Sequence, residues 1–342
     1  MDFSSDTSAP AHPKVIEALA AANTGNAASY GNDAVSAVLR DRLSETFETD
    51  DFDFWLTASG TAANALALSC VCPPIGSILC HREAHIERDE RGAPEFFTGG
   101  GKLQLLPGES GKIDETALRD ALSNIDHGFV HETPPYVLSL TNLTECGTAY
   151  SPEHIQHFAA LGHSAGLTVH LDGARFANAL LSTNTSPAQM SWQAGIDILT
   201  LGLTKTGAMG CEIIVLFGDA RRHFPALKAR AKRSGHMPPK MRFLAAQGLA
   251  LLTNDLWLDL AGQANRFARD LSNTLCKHPG VQLAFPVDGN EVFATLPDGL
   301  EQHLSKAGAT FYPWPGGHHR FVCSWATQKA EIDQLSHAIS RR

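Results

Sequence analysis

No stretch of about 18 or more apolar residues occurs among the 342 residues, so the sequence offers no transmembrane helix. The opening run Met1–Asp6 is acidic where a secretory leader is basic, and no apolar core follows it. There is no Cys-x-x-Cys pair, no His-Glu-x-x-His motif, no internal repeat and no low-complexity linker. Basic charge is also short: Lys+Arg 27 against Asp+Glu 36 leaves a net charge of −9, the wrong sign for a general nucleic-acid binder. The seven cysteines (70, 72, 80, 146, 211, 276 and 323) are odd in number and not spaced as a disulfide framework. Several sit in apolar runs, where a reduced thiol behaves as a small hydrophobe. These absences lead us to expect a soluble, cytoplasmic protein. No metal is expected, because the pairs His81/His85 and His318/His319 have no set of companion ligands. With 43% apolar and 18% charged residues the chain is a folded one with a sizeable core.

Short apolar runs alternate with helical stretches. Strands are expected at 52–57, 77–81, 103–106, 136–141, 167–171, 196–201 and 212–217. Helices are expected at 14–22, 34–47, 60–70, 114–124, 152–165, 174–181 and 219–233. That alternation predicts an α/β fold with a mostly parallel sheet. Near residue 255 the pattern changes. A long helix at 256–275 leads into a compact α+β unit, with strands near 281–285, 291–296 and 319–324 and helices at 299–307 and 328–340. The expected organisation is a large unit over 1–255 and a small one over 256–342.

Two strand ends carry the chemistry. The run 167–173 ends in Asp172-Gly173 before a helix, and carboxyl ends of strands are where open α/β sheets bind ligands. The run 196–203 ends in Thr204-Lys205, with Gly207 and Gly210 after it. Lys205 is the only lysine between Lys112 and Lys228, and it follows a run that should be buried. Desolvation disfavours an ammonium, so a lysine there is partly neutral and able to attack an aldehyde. Pyridoxal phosphate requires such a lysine, plus a carboxylate for its ring nitrogen. Its phosphate would suit Ser59-Gly60-Thr61, which opens a helix after the first strand. Taken alone, that triplet is also an ordinary helix cap, Asp172 an exposed cap and His85 a core histidine. Likewise Arg175 and Arg320 alone are compatible with solvated surface positions. A nicotinamide dehydrogenase would want Gly-x-Gly-x-x-Gly after the first strand, which is absent.

Taken in order, these segments resemble the pyridoxal-phosphate-dependent threonine aldolases, of the aspartate-aminotransferase-like fold. The anchors are 2–7 (Asp-Phe-Ser-Ser-Asp-Thr), 30–33, 59–61, 84–86 with Glu90, 170–175 (His-Leu-Asp-Gly-Ala-Arg), Thr204-Lys205, 240–242 and 320–322. The resemblance implies that Lys205 holds the cofactor as a Schiff base, that Asp172 pairs with the ring nitrogen, and that His85 stacks on the ring. It implies Ser59, Gly60 and Thr61 for the phosphate. Ser5, Arg175 and Arg320 would receive the substrate carboxylate, with Arg175 also near the cofactor. Arg242 (cofactor) and Tyr30 (substrate) would reach a site across a subunit interface, in a homo-oligomer built as a dimer of dimers with shared active sites.

One position departs from much of the family. Where many members have Glu-Asn-Thr-His-Asn, residues 141–147 read Thr-Asn-Leu-Thr-Glu-Cys-Gly, and Thr144 stands in place of the histidine that would meet the substrate hydroxyl. This form resembles the branch of low-specificity L-threonine or phenylserine aldolases. The implied reaction cleaves a β-hydroxy-α-amino acid to glycine and an aldehyde, with His85 as base. The alternatives are a β-eliminating lyase on the same scaffold and a non-catalytic binding module.

Overall fold

The computed structural model describes residues 1–340, and it forms seven strands from the apolar runs between residues 52 and 217. They are β1 (Phe52–Thr57), β2 (Ser77–His81), β3 (Lys102–Leu106), β4 (Pro135–Thr141), β5 (Thr168–Gly173), β6 (Ile198–Gly202) and β7 (Glu212–Phe217). Their order is β1-β7-β6-β5-β4-β2-β3. Pairing is parallel from β3 through β6, and β7 is antiparallel to both of its neighbours. Only β7 therefore runs against the rest. Every residue of β2, β6 and β7 is buried, as a sheet covered on both faces requires. That burial explains why these strands read as unbroken apolar runs and not as alternating ones.

Helix Gly60–Val71 starts where Ser59 accepts the Ala62 N–H, and its small residues pack it against β1, β4, β5, β6 and β7. Two glycines let β5 and β6 close up at one end. A Cβ on Gly202 would stand 2.5 Å from the Ala174 carbonyl, and one on Gly173 would stand 2.7 Å from the Thr200 carbonyl. The ends of β5 and β6 can converge only because neither residue carries a side chain.

Helix Leu256–Leu275 leads into a second sheet of β8 (Gln282–Leu283), β9 (Glu291–Thr295), β10 (Tyr312–Trp314) and β11 (His318–Val322), all antiparallel, in the order β10-β11-β9-β8. This sheet has its own core, which includes Leu271, Val292, Leu304, Phe321 and Leu335. Phe3 belongs to that core as well and is completely buried. Its N–H donates to Thr310 O at 2.9 Å, and its carbonyl accepts from Val322 N–H at 2.8 Å. The first residues of the chain are thus held by the last ninety, which grouping residue 3 with the large unit did not foresee.

The expected helices at 34–47 and 256–275 match the observed bounds, and 219–233 divides into a 3₁₀ turn and helix Phe224–Arg233, with Pro225 in its first turn. Three helices were not expected: His85–Arg88, Ala93–Thr98 and Arg242–Leu252. The third ends at Asn254 and Asp255, whose φ values of 52° and 54° break it from the long helix that follows. No helix among the described residues is long and apolar enough to cross a membrane.

Phe3→Ala should open a cavity in the second core and cost about 3–5 kcal/mol. A denaturant midpoint equal to wild type would show that the N-terminal segment is dispensable to that core.

Candidate active site

The ends of β1, β4, β5 and β6 line up at one edge of the sheet. In register, Thr141 faces Asp172, Asp172 faces Thr200, and Thr57 and Gly202 both face Glu212. Because β7 runs the other way, its first residue, Glu212, lies at the same edge. A cavity of about 230 Å³ opens there, lined by Ser59, Gly60, Thr61, His85, Asp172, Arg175 and Lys205, along with Thr7, Asn64, Glu145 and Glu212. Seven residues singled out from sequence are therefore brought together by four strands and two helix starts.

Lys205 follows β6 in a short turn, Thr204–Thr206, closed by Gly207 at φ 118°. The residue is half-buried, with its side chain in the cavity wall. Desolvation first, then the Arg175 charge, hold its proton affinity below the ordinary lysine value, against the opposing pull of Asp6, Glu291 and Asp172. Asp172 is fixed through both oxygens: Oδ1 accepts from Ala174 N–H at 2.9 Å and Oδ2 from Asn64 Nδ2 at 2.8 Å. Asn64 spends its second amide hydrogen on Glu90 Oε1 at 2.9 Å, and the same oxygen lies 2.9 Å from His85 Nδ1. A continuous chain of bonds thus runs Asp172–Asn64–Glu90–His85. Burial alone would lower the His85 pKa, but the Glu90 bond and the Asp172 charge outweigh it, so the value is raised. Glu90 takes the Nδ1 side of the ring, which leaves Nε2 as the acceptor when the imidazole is neutral.

Arg175 is 8% exposed and grips Asp6 with two bonds, Nε–Oδ2 at 2.8 Å and Nη2–Oδ1 at 3.1 Å. Its Nη1 lies 3.3 Å from Glu291 Oε2. Arg320 holds the other oxygen of Glu291, at 2.9 Å through Nε and 2.8 Å through Nη2. Asp6 titrates near 2: burial would raise its value, but Arg175 and Lys205 lower it.

Several expected residues lie elsewhere. Thr144 is completely buried, and its hydroxyl is engaged by Thr148 Oγ1 at 2.8 Å and Ser110 O at 3.2 Å. It faces the loop interior and is not among the residues that line the cavity. Ser5 caps the turn Asp6–Ser8, 2.7 Å from Thr7 Oγ1, and it is Thr7 that lines the cavity. Arg320 faces Glu291, behind Arg175. Tyr30 and Arg242 do not line the cavity: Tyr30 N–H donates to Pro239 O at 3.0 Å, and Arg242 Nη1 donates to Gly25 O at 3.2 Å. The two segments meet each other on a separate patch of the chain.

Sequence reasoning missed Asn64, Glu145 and Glu212. Asn64 had a legible signal, a buried-face amide one turn into the helix that Ser59 opens. Among the described residues no group of three or more His, Cys, Asp or Glu is placed to hold a metal ion.

The donor set suits a phosphorylated aldehyde carrying a ring nitrogen. A half-buried amine of lowered proton affinity, a fixed carboxylate and a helix start share one cavity, and Asn64, which lines it, has its Oδ1 buried without a hydrogen-bond partner. A match to the beta-eliminating lyase family spans residues 2–298. The chain belongs to that family. It is 41% identical to a low specificity L-threonine aldolase of Pseudomonas aeruginosa, over 98% of this chain and 96% of that one. The structure of a Leishmania major threonine aldolase superposes with a TM-score of 0.92 at 28% identity, covering 99% of this chain and 98% of that one. A Thermus thermophilus aspartate aminotransferase mutant shares the fold, with a TM-score of 0.72 at 17% identity over 99% and 95% of the two chains. The family member thus has the α/β fold that its strand alternation implied.

Asn64→Leu removes the shared donor of two buried carboxylates. It should lower stability by roughly 1–3 kcal/mol, read as a drop in Tm. An unchanged Tm would show that the Asp172–Asn64–Glu90 bridge is idle.

Proposed function

We propose that this protein is a pyridoxal-phosphate-dependent aldolase that cleaves L-threonine-type β-hydroxy-α-amino acids, phenylserine-type ones included, to glycine and an aldehyde. The observation that carries the reading is the half-buried Lys205, its proton affinity lowered, in one cavity with the doubly fixed Asp172. The names of the relatives in Pseudomonas aeruginosa and Leishmania major support the substrate class.

Lys205 would hold the cofactor aldehyde and Asp172 its ring nitrogen. The first turn of Gly60–Val71, whose leading N–H groups have no intrahelical acceptor, would hold the phosphate with Ser59 and Thr61. Once bound, the cofactor supplies an electron sink for the bond broken at Cα. Arg175 receives the substrate carboxylate, with Arg320 behind it through Glu291 and with Ser5 beside Thr7, which lines the cavity. Fixing the carboxylate sets which Cα bond lies across the ring; orientation of this kind contributes up to ~7–11 kcal/mol. His85, with Nε2 free and Nδ1 held by Glu90, takes the β-hydroxyl proton as the Cα–Cβ bond breaks. That proton transfer contributes ~10²–10⁴-fold.

Tyr30 and Arg242 serve the site of a second subunit in a homo-oligomer, a dimer of dimers. Their clustering away from the chain's own cavity supports this, as do the exposed apolar side chains Ile16, Val38 and Met209. The seven cysteines are all free, which supports a cytoplasmic setting.

A second reading, β-elimination releasing a keto acid and ammonia, is favoured by the family match alone. Incubation with L-threonine and phenylserine separates the two: glycine with acetaldehyde or benzaldehyde supports the aldolase, and a keto acid overturns it. Lys205→Ala should lose the visible absorption band of the purified protein and nearly all turnover; wild-type activity in that variant would overturn the site assignment. Asp172→Asn should keep the fold and lower kcat by orders of magnitude, so an unchanged kcat would remove Asp172 from its role.

A further inference from the structure

Glu145 has no role in the chemistry above, yet it lines the same cavity as His85, Asp172 and Lys205. It comes from the loop after β4, which is held from both sides. Asn142 exchanges bonds with the Tyr150 backbone at 3.1 Å each way, and Thr144 and Thr148 close the turn. Glu145 Oε1 accepts the backbone N–H of His85 at 2.7 Å, the shortest backbone-to-side-chain contact His85 makes. Its Oε2 is buried with no hydrogen-bond partner. An anionic carboxylate placed there would have one donor for two oxygens and another carboxylate, Asp172, close by. A neutral carboxyl avoids both costs.

We propose that Glu145 is a positioning residue for His85, holding the imidazole in place through the backbone with one oxygen and keeping a proton on the carboxyl so that His85 stays free to act as a base. This inference rests on the reading of His85 as the proton acceptor. The groups facing Glu145 are His85 at its helix start, Asp172 and Arg175 at the end of β5, Cys80 on β2, and Tyr150 and Cys146 on its own loop; the charges of Arg175 and His85 favour the carboxylate, and burial and Asp172 favour the protonated carboxyl. Burial is the largest influence on the carboxyl. The His85 N–H opposes it and Asp172 adds to it, and the result is a value pushed up to about 7. When Glu145 does ionise, its new charge strengthens the hold of His85 on a proton.

The test uses the full-length protein with its cofactor, and compares Glu145→Gln, which keeps the acceptor but never ionises, with Glu145→Ala, which has neither property. The His85 ring is followed by NMR and assigned by its loss in His85→Asn. In Glu145→Gln the His85 midpoint and the acid limb of kcat/KM should stay close to wild type, because the amide reproduces a carboxyl that keeps its proton, with kcat at pH 6 within about twofold of wild type. In Glu145→Ala, kcat should fall about tenfold or more at every pH, with KM little changed. Thermal unfolding supplies a readout independent of turnover. The folded value lies above the unfolded 4.5, so the stability due to proton uptake is complete below that value and lost as pH rises towards 7. Wild type should therefore fall behind Glu145→Gln over that window and level off above it. A His85 midpoint that falls by about 1 unit in Glu145→Gln, the mark of a carboxyl that is charged in wild type, or identical kinetics in the two variants, would overturn the proposal. If wild type releases no glycine and aldehyde, the aldolase reading fails by itself, while the titration and the unfolding gap still decide whether Glu145 carries the proton.

Discussion

Lys205 is held half-buried just after β6 with Arg175, Asp6, Glu291 and Asp172 as its electrostatic neighbours. An isolated ammonium could not be kept in such a place, because the cost of desolvating it is many kcal/mol. Two things make the position tenable. The amine gives up its proton more readily than an ordinary lysine, and the arginine and carboxylates around it are matched against one another. The rest of the site follows from that constraint. Strands β4, β5 and β6 must end level so that Asp172 and Lys205 share a cavity, and the glycines at 173 and 202 allow those ends to approach. The reversed strand β7 then brings Glu212 to the same edge, where burial pushes its carboxyl up to about 7 against the bonds from Thr204 and the Leu203 N–H and the Lys205 charge.

A second network ties distant parts of the chain to this cavity. Asp6 comes from the first turn, Arg175 from the end of β5, Glu291 from β9 and Arg320 from β11. Asn290 adds a bond to Asp6 at 3.0 Å. Ion pairs this deeply buried are costly to break, because each removal strands the opposite charge. The network fixes the guanidinium of Arg175 in the cavity wall before any substrate arrives, and it joins the small sheet to the large one at the point where chemistry is proposed.

Much of this was legible in the sequence, for physical reasons. Strands covered on both faces need apolar runs, so β2 and β7, buried throughout, could be bounded to the residue, as could β1. Asp172 and Lys205 stood out because each ends such a run. Other features were not legible. Helix Arg242–Leu252 is apolar on most of its circumference and shows no period to read. The placing of Phe3 in the C-terminal core depends on a contact more than 250 residues away, with no local signal. Thr144 was assigned by position in a motif, and only the loop's own hydrogen bonds show its hydroxyl to be spent inside. Glu145, one residue on, carries no local mark, because its significance comes from a backbone N–H sixty residues earlier.

The seat of Phe3 sets an order of events for the growing chain. Phe3 is synthesised well before the residues that enclose it, which lie between 268 and 339. Asp6 cannot take its place against Arg175 until that late segment has folded. The large sheet can assemble before residues 268–339 are made, whereas the cavity at its edge is finished only after them, and until then Arg175 waits without its bidentate partner.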